Sequence, residues 1–414
     1  MPVQRKSAST ADDAILIVCG GLLQVPAVEI AHGLGLKVVM TDINPRAAAM
    51  ALADEPVTLD TFDAEGHKRL VDDLARRYNL RGVFAEGADV EVTVAAAAAH
   101  AGLPGIPVEA ALNTKNKVRT RQALERAGIP NPSWAEVRTI DEAQRAADRI
   151  GFPLMAKAVD NSASRGTSRV DAHGGLDRAI ASAKAASTTG TALLEGCYVG
   201  DEQSVETLWD ELGRVHRLNI VDRPFERSEG YAIELGHVNP TSLGRAEQDA
   251  LFELTERAAA ATGVRFGAFK ADTIWTADGP RIIEVTARLS GGFDCQYTTP
   301  LSSGRSFIRA AMCLSIGRPI DPADLTHRWR RHAAAWVAFP SPGRIVELGS
   351  VDDVKKLPGV AEVILRVGRG DIIQPYHDCG VRPAFVIAVG DTREQAISRA
   401  QAGAAALQIE TVPV

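Results

Sequence analysis

Two stretches of this chain gather ionisable side chains at spacings that suit phosphate and metal chemistry. In the first, Ala156-Lys157-Ala158-Val159, one lysine stands inside an apolar, strand-like run. A lysine there either snorkels to solvent or meets an anion, because burying it unpaired is costly. Directly after it comes Asp160-Asn161-Ser162-Ala163-Ser164-Arg165-Gly166-Thr167, a small, hydroxyl-rich loop carrying one guanidinium. Such a loop can fold over phosphates with backbone N–H groups, hydroxyls and Arg165. An ordinary hairpin loop is the alternative, and Lys157 beside it weighs against that.

In the second stretch, Lys270-Ala271-Asp272 and Ile283-Glu284-Val285-Thr286-Ala287-Arg288 flank Ala277-Asp278-Gly279-Pro280. Strand alternation puts Ile283, Val285 and Ala287 on one face and Glu284, Thr286 and Arg288 on the other. A sheet that is apolar on one side and ionic on the other has a face to spare for a site. Whether Asp272 shares that face depends on the turn. An odd-length loop, or a bulge with the same effect, is expected, whereas a two-residue loop alone would separate the acids. Two carboxylates held together repel unless a divalent cation lies between them, and Mg²⁺ favours one or two carboxylates plus substrate phosphates.

These residues need a scaffold, and the hydrophobic pattern supplies one. Apolar runs at 15–18, 37–40 and 82–85 alternate with helical patterns at 25–34, 65–78 and 90–101, a βαβα rhythm that implies a parallel sheet covered by helices. A helix is expected over 115–127, ended by Gly128 with Pro130 and Pro132 behind it. Further helices are expected at 176–187, 245–262 and 392–407, with strands near 153–159, 192–194, 203–208, 334–339, 363–367 and 384–389. The expected organisation is α/β and α+β: a Rossmann-like first domain over 1–112, a nucleotide-binding domain over 113–327 with a lid at about 150–210, and a small α+β unit over 328–414. Gly20-Gly21 followed by Asp42 invites a dinucleotide reading, but G-x-G-x-x-G is absent and a tight βα turn is favoured.

Composition narrows the partners. At 414 residues two or three domains are expected. A formal charge of −6 leaves no basic excess for nucleic acid. The basic cluster from His327 to His332 reads as a solvated linker. Five scattered cysteines with no CxxC spacing argue against a disulfide framework or a zinc site and suit a reducing, cytoplasmic setting. The first dozen residues are polar with no signal-peptide core behind them, and the apolar run 14–19 falls far short of the roughly 18 residues a membrane helix needs.

Taken in order, these motifs resemble the ATP-grasp superfamily, and specifically carboxylate–amine ligases related to bacterial L-amino-acid ligases. Gly20-Gly21-Leu22-Leu23-Gln24 and Asp42-Ile43-Asn44-Pro45 look like the opening of that family's first domain. Asn116-Lys117 with Arg121 and Ala127-Gly128-Ile129-Pro130 is similar to the segment carrying its first phosphate lysine. The resemblance implies ATP and Mg²⁺ (or Mn²⁺), with Lys117, Lys157, Ser162, Ser164, Arg165 and Gly166 on the phosphates. Glu195 and Tyr198 would lie along adenine and Glu202 on ribose; Asp272, Glu284 and Thr286 would face the metal; Arg288, Lys157 and His237 would be catalytic. Glu234, His237, Arg288, Gly291 and Gly292 would meet a small carboxylate or amine substrate. For His237 an ordinary core or surface histidine is the alternative, and for Gly291-Gly292 close chain packing. A homodimer is left open. Two departures stand out: Thr286 where the family has Asn, a weaker and shorter metal ligand, and Ala163 where its phosphate loop commonly has Gly. The expected activity is acyl-phosphate-dependent amide formation. The competing expectations are a purine-pathway or carboxylase-type ATP-grasp enzyme, and a non-catalytic nucleotide sensor or dinucleotide-dependent protein.

Overall fold

Buried aliphatic runs near the start of the chain build a parallel sheet. In the computed structural model, which describes residues 11–228 and 231–414, its four strands are Asp13–Val18, Lys37–Asp42, Glu55–Thr58 and Asn79–Phe84. The first strand lies between the second and the fourth, so Asn79–Phe84 is an edge. Both faces are covered, which is why the strands read as continuous apolar runs. Ile15, Ile17, Val38 and Met40 pack with helices Val25–Gly33 and Phe307–Ser315, and Leu16, Val18 and Val39 with Ala64–Arg77 and Glu91–His100. Asp42 Oδ2 accepts a 2.8 Å hydrogen bond from the Gly20 N–H, so this acid closes the first βα turn. A Cβ on Gly20 would lie 2.6 Å from Met50 Cγ, and close packing accounts for the glycine.

The helix expected over 115–127 is Lys117–Arg126, and a separate helix, Val108–Lys115, precedes it. Asn116 breaks them: its backbone is extended and its side chain accepts from the N–H groups of Val118 and Arg119. Asparagine is a strong N-cap, so the break sets Lys117 in the first turn of the second helix. The lid is a four-stranded sheet in the order Trp134–Val137, Ala192–Gly196, Leu154–Ala158, Ser168–Val170. Helices Ile140–Ile150 and Leu176–Ala186 cover one side of it.

The largest sheet has eight strands, in the order Gly279–Thr286, Gly267–Thr276, Asp201–Trp209, Val215–Arg223, Gly236–Asn239, His332–Ala338, Ala384–Gly390, Val360–Leu365. Helix Arg245–Thr262 packs on one face through Leu251, Leu254 and Ala258, against Val205, Ile220, Ala271, Ile282 and Val285. The opposite face carries the ionic side chains. Residues beyond 328 were expected to form a separate small unit, yet three of their strands extend this same sheet. Gly236–Asn239 pairs directly with the alanine-rich strand His332–Ala338, whose short side chains gave no hint of that junction.

Candidate active site

The hairpin geometry decides whether the two acids meet. Thr276 pairs with Gly279, which leaves the two-residue turn Ala277-Asp278. That turn alone would set Asp272 and Glu284 on opposite faces. The register then shifts by one residue between the pairs Thr273–Ile282 and Asp272–Glu284, so the acids become direct cross-strand partners. This is a bulge, and Arg121 braces it. Its guanidinium donates to the carbonyls of Ile282 (3.1 Å) and Ile283 (2.8 Å), at the extra residue. The register is therefore tied to a side chain on another helix.

Arg121 also reaches the lid. Its Nε lies 2.8 Å from Glu195 Oε2, while Lys157 Nζ lies 2.5 Å from Glu195 Oε1. Burial by itself would raise the Glu195 carboxyl; the charges of Arg121 and Lys157 outweigh it and hold it at about 2. The Glu195 side chain, expected along adenine, is thus engaged in positioning Lys157. Tyr198 follows it, half-buried, at the end of that strand.

Each of the two paired acids meets a cation. Lys117 Nζ sits 2.7 Å from Glu284 Oε1 and donates to the Asn161 carbonyl at 2.5 Å. Asp272 Oδ1 lies 2.6 Å from Lys270 Nζ, and its Oδ2 3.0 Å from Arg223 Nη1. Burial pushes the Asp272 carboxyl up, but Arg223 and Lys270 outweigh it and bring it below its ordinary value. Thr286 Oγ1 is buried on the same face without a hydrogen-bond partner. Among the described residues no three His, Cys, Asp or Glu side chains gather closely enough to hold a metal alone. Two facing carboxylates with an orphaned hydroxyl, on a face bordered by phosphate-type lysines, fit a Mg²⁺ ion whose remaining ligands come from a nucleotide.

The loop at 160–167 is arranged for close approach. Ala163 (φ 54°), Ser164 (φ 60°) and Gly166 (φ 69°) are left-handed, which explains the preference for glycine where Ala163 stands. Arg165 Nε donates to Asn161 Oδ1 at 2.9 Å and its Nη2 to Ser162 Oγ at 3.1 Å. The Cys379 N–H donates to the Ala163 carbonyl at 2.9 Å, so the C-terminal segment rests on this loop.

Arg288 projects into the cleft, where its Nε and Nη2 lie 2.8 and 2.6 Å from Asp89 Oδ1. Nothing in the spacing of Asp89 pointed to this partner. Burial would raise its carboxyl, yet Arg288 and a hydrogen bond from Ser162 overcome that and hold it well below the carboxylate range. Glu234 is encircled: Arg223 Nε at 2.6 Å, Arg382 Nη1 at 2.8 Å and His237 Nε2 at 3.0 Å surround it. An α-ammonium would have to share Glu234 with these groups. Glu202, the expected ribose partner, lies 3.9 Å from Arg223. At Gly292 a Cβ would fall 2.6 Å from His237 Cε1, and at Gly291 3.1 Å from the Gly87 carbonyl. Close packing accounts for both glycines. Arg121, Arg223, Lys270 and Arg382 are the ionic residues that motif reading left without a role; an arginine inside an amphipathic helix or at a strand end carries no distinctive signal.

Beside the cleft, Glu206 is fully buried, with Oε1 accepting from the Ser290 N–H at 2.7 Å and Oε2 unpartnered. Burial, then the neighbouring Asp294, pushes its carboxyl to about 7 from an ordinary 4.5. Between those values the folded chain holds a proton that the unfolded chain releases, so stability falls as pH rises through the window. Glu206→Gln is expected to remove that slope, gaining about 1–3 kcal/mol at pH 8 and little at pH 4.5. Urea melts at both pH values check this, and equal gains at both would contradict it.

This architecture is an ATP-grasp fold: a four-stranded antiparallel sheet and a larger sheet flank a cleft that holds the paired acids, with two buried lysines beside it. Comparison with known proteins agrees. Residues 150–296 match the ATP-grasp domain model. Residues 335–412 match L-amino acid ligase C-terminal domain 2. By these matches residues 150–296 are similar to an ATP-grasp domain and residues 335–412 to the second C-terminal domain of L-amino acid ligases. Its fold is similar to that of an L-amino acid ligase from Bacillus licheniformis, with a TM-score of 0.81 and 24% identity, covering 98% of this chain and 100% of that one. In sequence it is 26% identical over 330 residues to the uncharacterised protein y4rH of Sinorhizobium fredii, covering 78% of this chain and 66% of that protein. It is 31% identical over 188 residues to a D-alanine–D-alanine ligase of Pseudomonas fluorescens, covering 43% of this chain and 55% of that one. The chain thus spans between about half and two thirds of these two curated relatives. Among the described residues no helix is long and apolar enough to cross a membrane.

Proposed function

We propose that the protein is an ATP- and Mg²⁺-dependent carboxylate–amine ligase that forms an amide through an acyl phosphate, with an amino acid among its substrates. The observation that carries this is the bulged hairpin, which sets Asp272 and Glu284 face to face below Lys117 and Lys157. Supporting it, residues 150–296 of this chain match an ATP-grasp domain and residues 335–412 an L-amino acid ligase C-terminal domain.

The charges of the cleft are paired internally. Lys117 lies on Glu284, and Lys270 with Arg223 on Asp272. With Mg²⁺ and ATP bound, Asp272, Glu284 and Thr286 would hold the metal, and Lys117 would turn from Glu284 to phosphate. Ion pairs are thereby replaced by ion pairs, and few charges are left buried alone. Bound Mg²⁺ supplies Lewis-acid neutralisation of phosphoryl oxygens. Lys117, Lys157 and Arg165, with the backbone and hydroxyls of Ser162, Ser164 and Gly166, hold the phosphates. The 195–198 segment and Glu202 take the nucleoside. A substrate carboxylate oxygen then attacks the γ-phosphorus and ADP leaves. Arg288, fixed by Asp89, offsets charge on the transferring group. The amine nitrogen attacks the acyl carbon and phosphate departs with the carboxylate oxygen. In this reading His237, whose Nε2 lies 3.0 Å from Glu234, takes the proton the amine sheds. Absence of disulfides among the five cysteines supports a reducing, cytoplasmic setting.

The test is ADP release by the full chain over pairs of amino acids and related carboxylates. Release that needs both an acid and an amine is expected. Release supported by bicarbonate alone, with no amino-acid pair active, would overturn the assignment and favour a carboxylase-type enzyme.

A further inference from the structure

A cavity of about 80 Å³ runs along the unpaired edge of strand Asn79–Phe84, between the first domain and the start of the acid-bearing hairpin. Arg288 forms part of its wall, so the cavity borders the cleft described above from the side of the first domain. Its walls are apolar: Val83, Val94, Ala95, Ile106, Phe266 and Ala311 supply most of them. Glu91 is the one carboxylate in the lining, and it is only 4% exposed.

Neither carboxylate oxygen of Glu91 has a hydrogen-bond partner from another residue. The cations nearby are otherwise engaged. Arg288 gives Nε and Nη2 to Asp89 and Nη1 to the Leu289 carbonyl, and Lys115 Nζ donates to the Asp89 carbonyl at 3.0 Å. An unpaired carboxylate buried beside an apolar chamber is costly, and an ammonium brought in with an apolar tail would offset that cost. Arg288 also lines the cavity, but with its nitrogens on Asp89 and the Leu289 carbonyl an anionic ligand would meet Glu91 without a free cation, and a neutral one would leave Glu91 as it is. Burial first, and then Asp89, raises the Glu91 carboxyl to about 7, so near neutral pH it changes protonation readily when a cation arrives.

We infer that this cavity binds a small primary amine, its ammonium on Glu91 and its apolar tail among Val94, Ala95 and Ile106. The site stands on the cavity and on Glu91, and binding there requires neither ATP nor turnover. The amine is either the ligase's own nucleophile or a separate effector, and both present the same chemistry to the site.

Calorimetric titration of the full chain with isobutylamine, isobutanol and isobutyrate, without nucleotide, tests the inference. Isobutylamine is expected to bind at least about tenfold more tightly than the other two, the usual scale of a charge-assisted hydrogen bond. Glu91→Gln, which keeps the shape and removes only the charge, is expected to erase that preference. Ala95→Leu, which fills the chamber, is expected to weaken isobutylamine binding by a similar factor. Equal affinity for the three probes, no binding of isobutylamine, or a preference that survives Glu91→Gln would each overturn it. ADP release with isobutylamine as the amine separates the sources: consumption marks a nucleophile, and binding without consumption an effector. Because the titration omits ATP, its failure is distinguishable from failure of the ligase assignment.

Discussion

Glu284→Gln is expected to lower ADP release by about 10²–10³-fold, the loss typical when one electrostatic contact to a developing charge is removed. The same change is expected to leave ATP binding without metal unweakened. Lys117 Nζ is held 2.7 Å from Glu284, so removing the carboxylate charge releases this lysine for phosphate. Affinity and turnover should therefore separate, with metal-free ATP affinity equal to or above that of the parent and Mg²⁺-dependent turnover lost. Titration with ATP in EDTA, beside ADP release in Mg²⁺, measures both. Weakened metal-free binding would show that Glu284 holds the lysine for ATP; intact turnover would remove Glu284 from the metal site.

Arg121→Met is expected to destabilise the fold by about 3–5 kcal/mol, because breaking a buried ion pair leaves a charge uncompensated. Arg121 and Glu195 are almost completely buried, and Lys157 is the carboxylate's other cation. Methionine fills the space but donates nothing to Glu195 or to the bulge carbonyls of Ile282 and Ile283. The pH dependence should change in a fixed direction. The Glu195 carboxyl is depressed to about 2 in the fold, so its stabilisation is complete above its ordinary value of 4.5 and is lost as pH falls toward 2. Without Arg121 that carboxyl rises, and acid unfolding should begin at higher pH. Urea melts with an unchanged m-value, repeated from pH 7 down to pH 3, read both effects. An unshifted acid transition would mean that Arg121 does not hold Glu195 down. Loss of Mg²⁺-ATP affinity beyond the loss of stability would mark slippage of the hairpin register.

Much of this was legible in the residues, and the limits have physical causes. Helix Arg245–Thr262 matches its expected span because a long amphipathic repeat ends in Gly263 with φ of 90°, a strong stop. The polar face of Glu284 and Thr286 followed from strand alternation alone. The bulge was one of two routes to the same face, and sequence could not choose between them, since Arg121 acts from another helix. Strand Trp134–Val137 escaped notice because it is short; helix Ile140–Ile150 is as long as the expected Leu176–Ala186, and the capping box of Thr139 and Glu142 was a legible start signal that went unread. Asp89 and Arg382 were invisible for a different reason. Each acts on a residue far along the chain, Arg288 and Glu234 respectively, and only the folded arrangement pairs them.

The central claim is that a carboxylate oxygen becomes bonded to the γ-phosphorus. Turnover of an active amino-acid pair whose acid carries ¹⁸O in both carboxyl oxygens tests it most directly, with mass spectrometry of the released phosphate. One ¹⁸O in each phosphate is the expected result, because the amine expels phosphate together with the oxygen that attacked ATP. Phosphate free of ¹⁸O, released in step with amide, would contradict an acyl phosphate and with it the role given to the hairpin acids.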